Sequence, residues 1–154
     1  MSKAALKEKE LRCIDLIEGK FEDVEDTWKK AEQFYQEYDN ATEGEQIAMK
    51  VIDQNNGDYF HEYEDLFDYV NNTALSWDYV EAYTFENQSE GYYRLQLSWG
   101  GPSDEFRIYP AKDEYSVDNI EYAYMDWFDG AVYPVPQDST AWDICQMFLQ
   151  YEQG

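Results

Sequence analysis

Tyr93-Arg94-Leu95-Gln96-Leu97-Ser98-Trp99 alternates apolar and polar residues without a break, and Gly100-Gly101-Pro102 follows directly. Side chains of an extended strand point alternately to its two faces, so this pattern predicts a half-buried strand closed by a turn. Beyond the turn, Phe106 and Ile108 supply the inward face of a returning strand. Consecutive strands joined by so short a turn pair antiparallel.

The same period extends outward. It begins near Trp77, with residues 80–85 as a strand, and resumes over 120–127 until Asp129-Gly130 interrupts it. Pro134 and Pro136 limit 132–135 to an edge segment. Helical spacing returns at Trp142, Cys145, Phe148 and Leu149, with Asp138 to Thr140 as cap candidates. Residues 1–72 read as helical throughout. Ser2 caps a first helix carrying Leu6, Leu11, Ile14 and Ile17, and Gly19 supplies its stop. A second helix starts near Glu22 and places Val24, Trp28, Ala31, Tyr35 and Tyr38 at spacings of three and four. Thr42 and Glu45 match the capping-box spacing and open a third through Ile47, Val51 and Ile52, which Asn55-Asn56-Gly57 breaks. A fourth, over 58–70, gathers Phe60, Tyr63, Leu66, Phe67 and Val70 on one side. Helices, then consecutive strands, then a helix indicate an α+β fold. The expectation is one domain over 1–154: N-terminal helices (1–72) packed on an antiparallel sheet of about four strands (77–135), with a C-terminal helix (139–151).

The charge is lopsided. The chain has a formal charge of −23, and its last 104 residues hold three basic and twenty-one acidic side chains. Residues 51–93 contain ten carboxylates and no Lys or Arg. A fold that keeps so much like charge destabilises itself by self-repulsion, which points to a use outside the fold. Aromatic residues at 18% separate this chain from acidic disordered segments. Read as a helix, 58–70 stacks Asp58, Glu62, Glu64, Asp65 and Asp68 opposite its apolar side, where an ordinary solvated face mixes signs. These five, with Asp78, Glu81, Glu86 and Glu90, are the candidate partner-binding residues.

Other chemistry is poorly supported. No basic footprint exists for direct nucleic-acid binding. Single His61 lies among Tyr, Glu and Asp, which predicts a solvated imidazole of raised pKa. Acid pairs such as Asp104/Glu105 or Asp126/Asp129 arise by chance among thirty-four carboxylates. Gly100-Gly101-Pro102 lacks the residues of a phosphate-binding loop. The 53–58 segment resembles a calcium loop with its glycine one position early, and reads as a helix break. Asp126-Trp127 reads as structural, with Trp127 packed at the sheet end. No enzyme activity, cofactor or metal is expected. Two cysteines without CxxC spacing, no run of about 20 apolar residues, and a charged N-terminus predict a soluble cytoplasmic chain that avoids membranes.

The segments LSWGGP (97–102) and EYAYMDWFDGA (121–131) resemble a loose family of small uncharacterised phage- and plasmid-associated proteins, over about a quarter of the chain. The resemblance implies a strand ending in a Gly-Gly-Pro turn, a later strand closing on Asp-Trp, and a mobile-element setting. In general character a small acidic protein of that setting is similar to antirestriction and anti-CRISPR proteins that mimic nucleic acid; this is a likeness of type alone. Duplex DNA carries one charge per about 1.7 Å, so the net charge matches very roughly 40 Å of duplex. That is on the order of the diameter of a compact chain of this length. The expected function is inhibition of a host defence protein, a CRISPR effector or restriction enzyme, by occupying its basic nucleic-acid-binding surface. The alternative is an acidic interaction module, toxin-neutralising or regulatory, that binds through exposed aromatics.

Overall fold

In the computed structural model, which describes residues 12–153, the 93–99 alternation becomes strand β2 (Tyr92–Ser98). It pairs antiparallel with β1 (Ser76–Val80) on one side and β3 (Ser103–Pro110) on the other. Strands β4 (Val117–Asp126) and β5 (Asp129–Pro134) continue the meander, so sequence order is also spatial order. The sheet has five strands where about four were expected. The extra strand is the 129–134 edge, which pairs with β4 along its length despite its proline. The fold is α+β, with helices before and after the sheet.

Helices α1 (Cys13–Asp39) and α4 (Thr140–Gln153) cover one face of the sheet. Between them runs a helical layer of α2 (Glu43–Asn56), a 3-10 turn (Phe60–Glu62) and α3 (Leu66–Thr73). Alternation aims Leu95, Phe106, Ile108, Ile120 and Tyr122 at the helices, where all are buried. Phe21 of α1 meets Phe106, Tyr122 and Tyr133, while Trp28 lies 5.2 Å from Phe106. From α4, Phe148 packs against Phe67 and Trp77. One buried cluster therefore draws on both halves of the chain. Burial of that apolar area is the main stabilising force, at roughly 25 cal/mol per Å². Among the described residues no helix is long and apolar enough to cross a membrane.

Several helix ends are closed by carboxylates. Thr42 Oγ1 accepts the Glu45 N–H, and the Glu45 carboxylate accepts the Thr42 N–H, as the capping-box spacing predicted. Gly57 ends α2 in the left-handed region at φ 78°. Buried Glu25 accepts the N–H groups of Thr140 and Ala141 at 3.1 and 2.7 Å, capping α4 from the middle of α1. Asp129 does the same for α1, accepting the Cys13 N–H at 2.7 Å. Ser139 accepts the Trp142 N–H.

Three expectations are corrected. Gly19 does not stop a helix: α1 runs through it for 27 residues. A mid-helix glycine costs about 1 kcal/mol, less than the burial of Ile17 and Phe21 on either side of it. Ser2, Leu6 and Leu11 lie outside the described residues. The 58–70 segment is not one helix. Tyr59 takes φ 56°, Phe60 sinks between Tyr35 and Tyr69, and Tyr35 donates its hydroxyl to the Phe60 carbonyl at 2.7 Å. The chain is thus drawn into a 3-10 turn, and α3 restarts behind extended Asp65. The strand placed at 80–85 ends at Val80 instead. Beyond it, Gln88 gathers the chain, donating to the Glu81 and Glu90 carbonyls and accepting the Phe85 N–H.

Candidate functional site

The loss of the long acidic helix scatters the residues chosen from sequence. Asp58 is half-buried and faces Lys30 at 3.6 Å. Asp65 caps α3, accepting the Asp68 N–H at 2.8 Å. Asp68 accepts the Glu64 N–H and an Asn72 amide hydrogen. Glu62 and Glu64 are exposed. These five sit in the helical layer, whereas Asp78 lies on β1 and holds Arg94 by two hydrogen bonds of 3.0 and 2.6 Å. Glu81, Glu86 and Glu90 ride the exposed 81–91 connection. The nine residues are thus divided among the helical layer, β1 and the 81–91 connection.

A different acidic cluster does assemble. The 81–91 connection folds against the β3–β4 end of the sheet, so Glu90, Asp118 and Glu121 line one depression of about 380 Å³ beside Tyr109. Burial, then the Glu121 charge, pushes the Tyr109 hydroxyl up to about 12. Asp113, in the adjoining β3–β4 turn, accepts hydrogen bonds from Ser116 and Tyr115, which hold its carboxyl below the usual range. Asp118 and Glu121 were missed because hairpin pairing, far along the chain, brings them to Glu90. Their one local signal was the stretch after Lys112, which holds nine carboxylates and no Lys or Arg.

The face of the sheet away from the helices carries a second feature. Strand register aligns Asp78, Arg94, Arg107 and Glu121 in one row across four strands. Two like charges directly opposite on paired strands repel. Here each has its own carboxylate: Asp78 for Arg94, and buried Glu105 for Arg107 at 3.0 Å. The Asp78 hydrogen bonds raise the pKa of Arg94 further above its ordinary value. Arg107 also lies over the Tyr92 ring, 5.4 Å from its centroid. Both arginines line a cavity of about 560 Å³, rimmed by Trp99, Gly101 and Trp127. Residues of the two segments 97–102 and 121–131 therefore meet at this cavity. Trp127 is not packed at the sheet end as expected. It is 86% exposed, with φ 56°. Its indole lies over Gly101, where an added Cβ would stand 3.5 Å from Nε1.

His61 is not solvated either. Its Nδ1 approaches Asp53 Oδ2, and the same oxygen accepts the His61 N–H at 2.8 Å. Asp53 is buried, consistent with a 53–58 segment that ends a helix. Among the described residues no group of three or more His, Cys, Asp or Glu could hold a metal. Cys13 and Cys145 are buried, and burial raises both thiols. Asp104 accepts the Tyr122 hydroxyl at 2.6 Å and bonds Ser98, a structural role that burial of the phenol requires. The arrangement is suited to binding: a charged rim at one end of the sheet and a polar-floored, aromatic-walled cavity on its outer face. Comparison with known protein families, curated proteins and solved structures found no match to this chain.

Proposed function

We propose that this chain is an inhibitor that occupies the basic nucleic-acid-binding surface of a defence protein of the restriction-enzyme or CRISPR-effector kind. The reading rests on uncompensated charge. Thirty-four carboxylates face eleven Lys and Arg in the chain, and five ion pairs to Lys or Arg form among the described residues. Glu81, Glu86, Glu90 and Asp118 are exposed, and among the described residues none of them forms an ion pair. Such a surface steers a basic groove towards it and competes with phosphates for the same Lys and Arg. No turnover is needed. The test is competition between this protein and labelled duplex for a purified partner, repeated with Glu81→Gln, Glu86→Gln, Glu90→Gln and Asp118→Asn combined. Displacement of duplex that the combined variant loses supports the reading; simultaneous binding of both contradicts it.

One observation favours a second reading. Trp99, Trp127 and Phe128 are 77%, 86% and 105% exposed at neighbouring turns, and exposed aromatics anchor protein interfaces. A regulatory or toxin-neutralising contact made through them would depend only weakly on salt, whereas phosphate mimicry weakens steeply.

A further inference from the structure

Of the three basic residues after Lys50, two are Arg94 and Arg107, and strand pairing sets them directly opposite one another in the floor of the outer-face cavity. Their neutralising partners leave donors over. Arg94 uses Nε and Nη2 on Asp78. Arg107 uses Nε on Glu105, and its Nη2 meets only the Met125 thioether at 3.6 Å, a weak acceptor. Nη1 of each guanidinium makes no hydrogen bond among the described residues, nor does the hydroxyl of Ser103 in the same lining. The floor is therefore rich in donors held in fixed planes. The exposed aromatic rings of Phe85, Trp99 and Trp127, none of them needed by the core, complete the lining, with the Glu105 carboxylate held by Arg107. A volume of about 560 Å³ falls within the usual range of small-molecule sites.

We propose that this cavity binds a small ligand made of a flat aromatic ring bearing one carboxylate. The carboxylate sits on the free N–H groups of Arg94 and Arg107, and the ring lies against Trp99 and Trp127. A carboxylate only accepts hydrogen bonds and matches a pair of guanidinium forks. The corresponding amide brings two donors of its own against that floor. Stacking accounts for the ring. The field of a chain carrying −23 penalises each further negative charge, so a monoanion is favoured over a phosphate dianion. This site is independent of the proposed inhibitory role.

The experiment is calorimetric titration of the whole protein with four probes: indole-3-carboxylate, indole-3-carboxamide, cyclohexanecarboxylate and adenosine monophosphate. The expected result is saturable one-to-one binding of indole-3-carboxylate. The carboxamide should bind about tenfold or more weakly, the usual effect of losing a charge-assisted hydrogen bond, and the saturated ring and the nucleotide should also bind more weakly. Trp127→Ala, at an exposed position, should weaken binding without lowering the melting temperature, and Arg94→Lys, which keeps the charge and loses the fork on Asp78, should weaken binding while thermal melts report a folded protein. Arg107→Gln alone would strand buried Glu105, so it is made together with Glu105→Gln. That pair should abolish binding while thermal melts report a folded protein. Absence of saturable binding, equal affinity for the carboxamide, tighter binding of the nucleotide, or indifference to both single variants would each overturn the assignment.

Discussion

The helices before the sheet and the β1–β2 end of the sheet are both acidic in sequence and use their carboxylates differently. In the first, Glu25 caps α4, Asp53 holds the His61 amide, Asp65 caps α3 and Asp68 fixes the Glu64 N–H. In the second, Glu81, Glu86 and Glu90 extend into solvent, while backbone carbonyls and Gln88 hold the loop together. The difference teaches that a carboxylate density read from sequence overstates the surface available to a partner. Buried backbone N–H groups at helix ends must be satisfied first. The carboxylates left over are those free to act elsewhere.

If that division is right, substitutions in the two regions should separate stability from binding. The largest effect belongs to Glu25→Ala, which strands two N–H groups of α4 in a buried place. A loss of about 3 kcal/mol is expected from two hydrogen bonds to a charged group, read from urea denaturation, and Glu25→Gln should lose less. A melt unchanged by either would break the comparison at its strongest point. Asp65→Ala removes the α3 cap and should cost about 1 kcal/mol, seen as a lower midpoint in the same titration.

Asp129→Asn keeps an acceptor for Cys13, so its effect is smaller and is best read against pH. The Cys13 backbone N–H, with Arg12 assisting, holds the Asp129 carboxyl below the usual range. A depressed carboxyl contributes stability that is complete above its unfolded value, about 4, and is lost as pH falls through the folded value. The gap between wild type and variant in chemical denaturation should therefore persist from neutral pH down to about 4 and close below it. A gap constant with pH would assign Asp129 no electrostatic role.

The smallest stability effect is expected from neutralising Glu81, Glu86, Glu90 and Asp118 together. Each should lie within about 0.5 kcal/mol of wild type, with a slight gain from relieved repulsion. Moderate salt should raise the melting temperature of the wild type, and raise that of the neutralised variant less, because screening has less repulsion to relieve. Equal salt responses would show that these carboxylates do not crowd one another.

Much of the fold was legible. The alternation at 93–99, the Phe106 and Ile108 spacing, and the Thr42/Glu45 box are short-range patterns that tertiary packing did not override. The 58–70 segment misled because Phe60, Tyr63, Leu66, Phe67 and Val70 fit a helical angle, yet a 3-10 turn followed by a helix repeats similar spacings. What broke it was the pocket between Tyr35 and Tyr69 that takes Phe60, a long-range demand absent from the local pattern. Gly19 misled for the complementary reason, since burial on both sides carried α1 through it. At the site, Glu81, Glu86 and Glu90 were identifiable as exposed acids, but their neighbours Asp118 and Glu121 depend on strand pairing. The Arg94–Arg107 pair left a usable signal. The two lie at matched distances either side of the Gly100-Gly101 turn, and hairpin pairing with its register shift between Gln96 and Ser98 sets them opposite.

The most direct test of the central claim is the salt dependence of partner binding, measured in competition with labelled duplex for a purified restriction enzyme or CRISPR effector. Phosphate mimicry predicts that affinity falls steeply and linearly on a log–log plot against salt. The slope should become shallower by the number of contacts removed when Glu81, Glu86, Glu90 and Asp118 are neutralised, and duplex should be displaced throughout. A flat salt dependence, unchanged by neutralisation and abolished by Trp127→Ala, would contradict the claim and assign the contact to the aromatic turns.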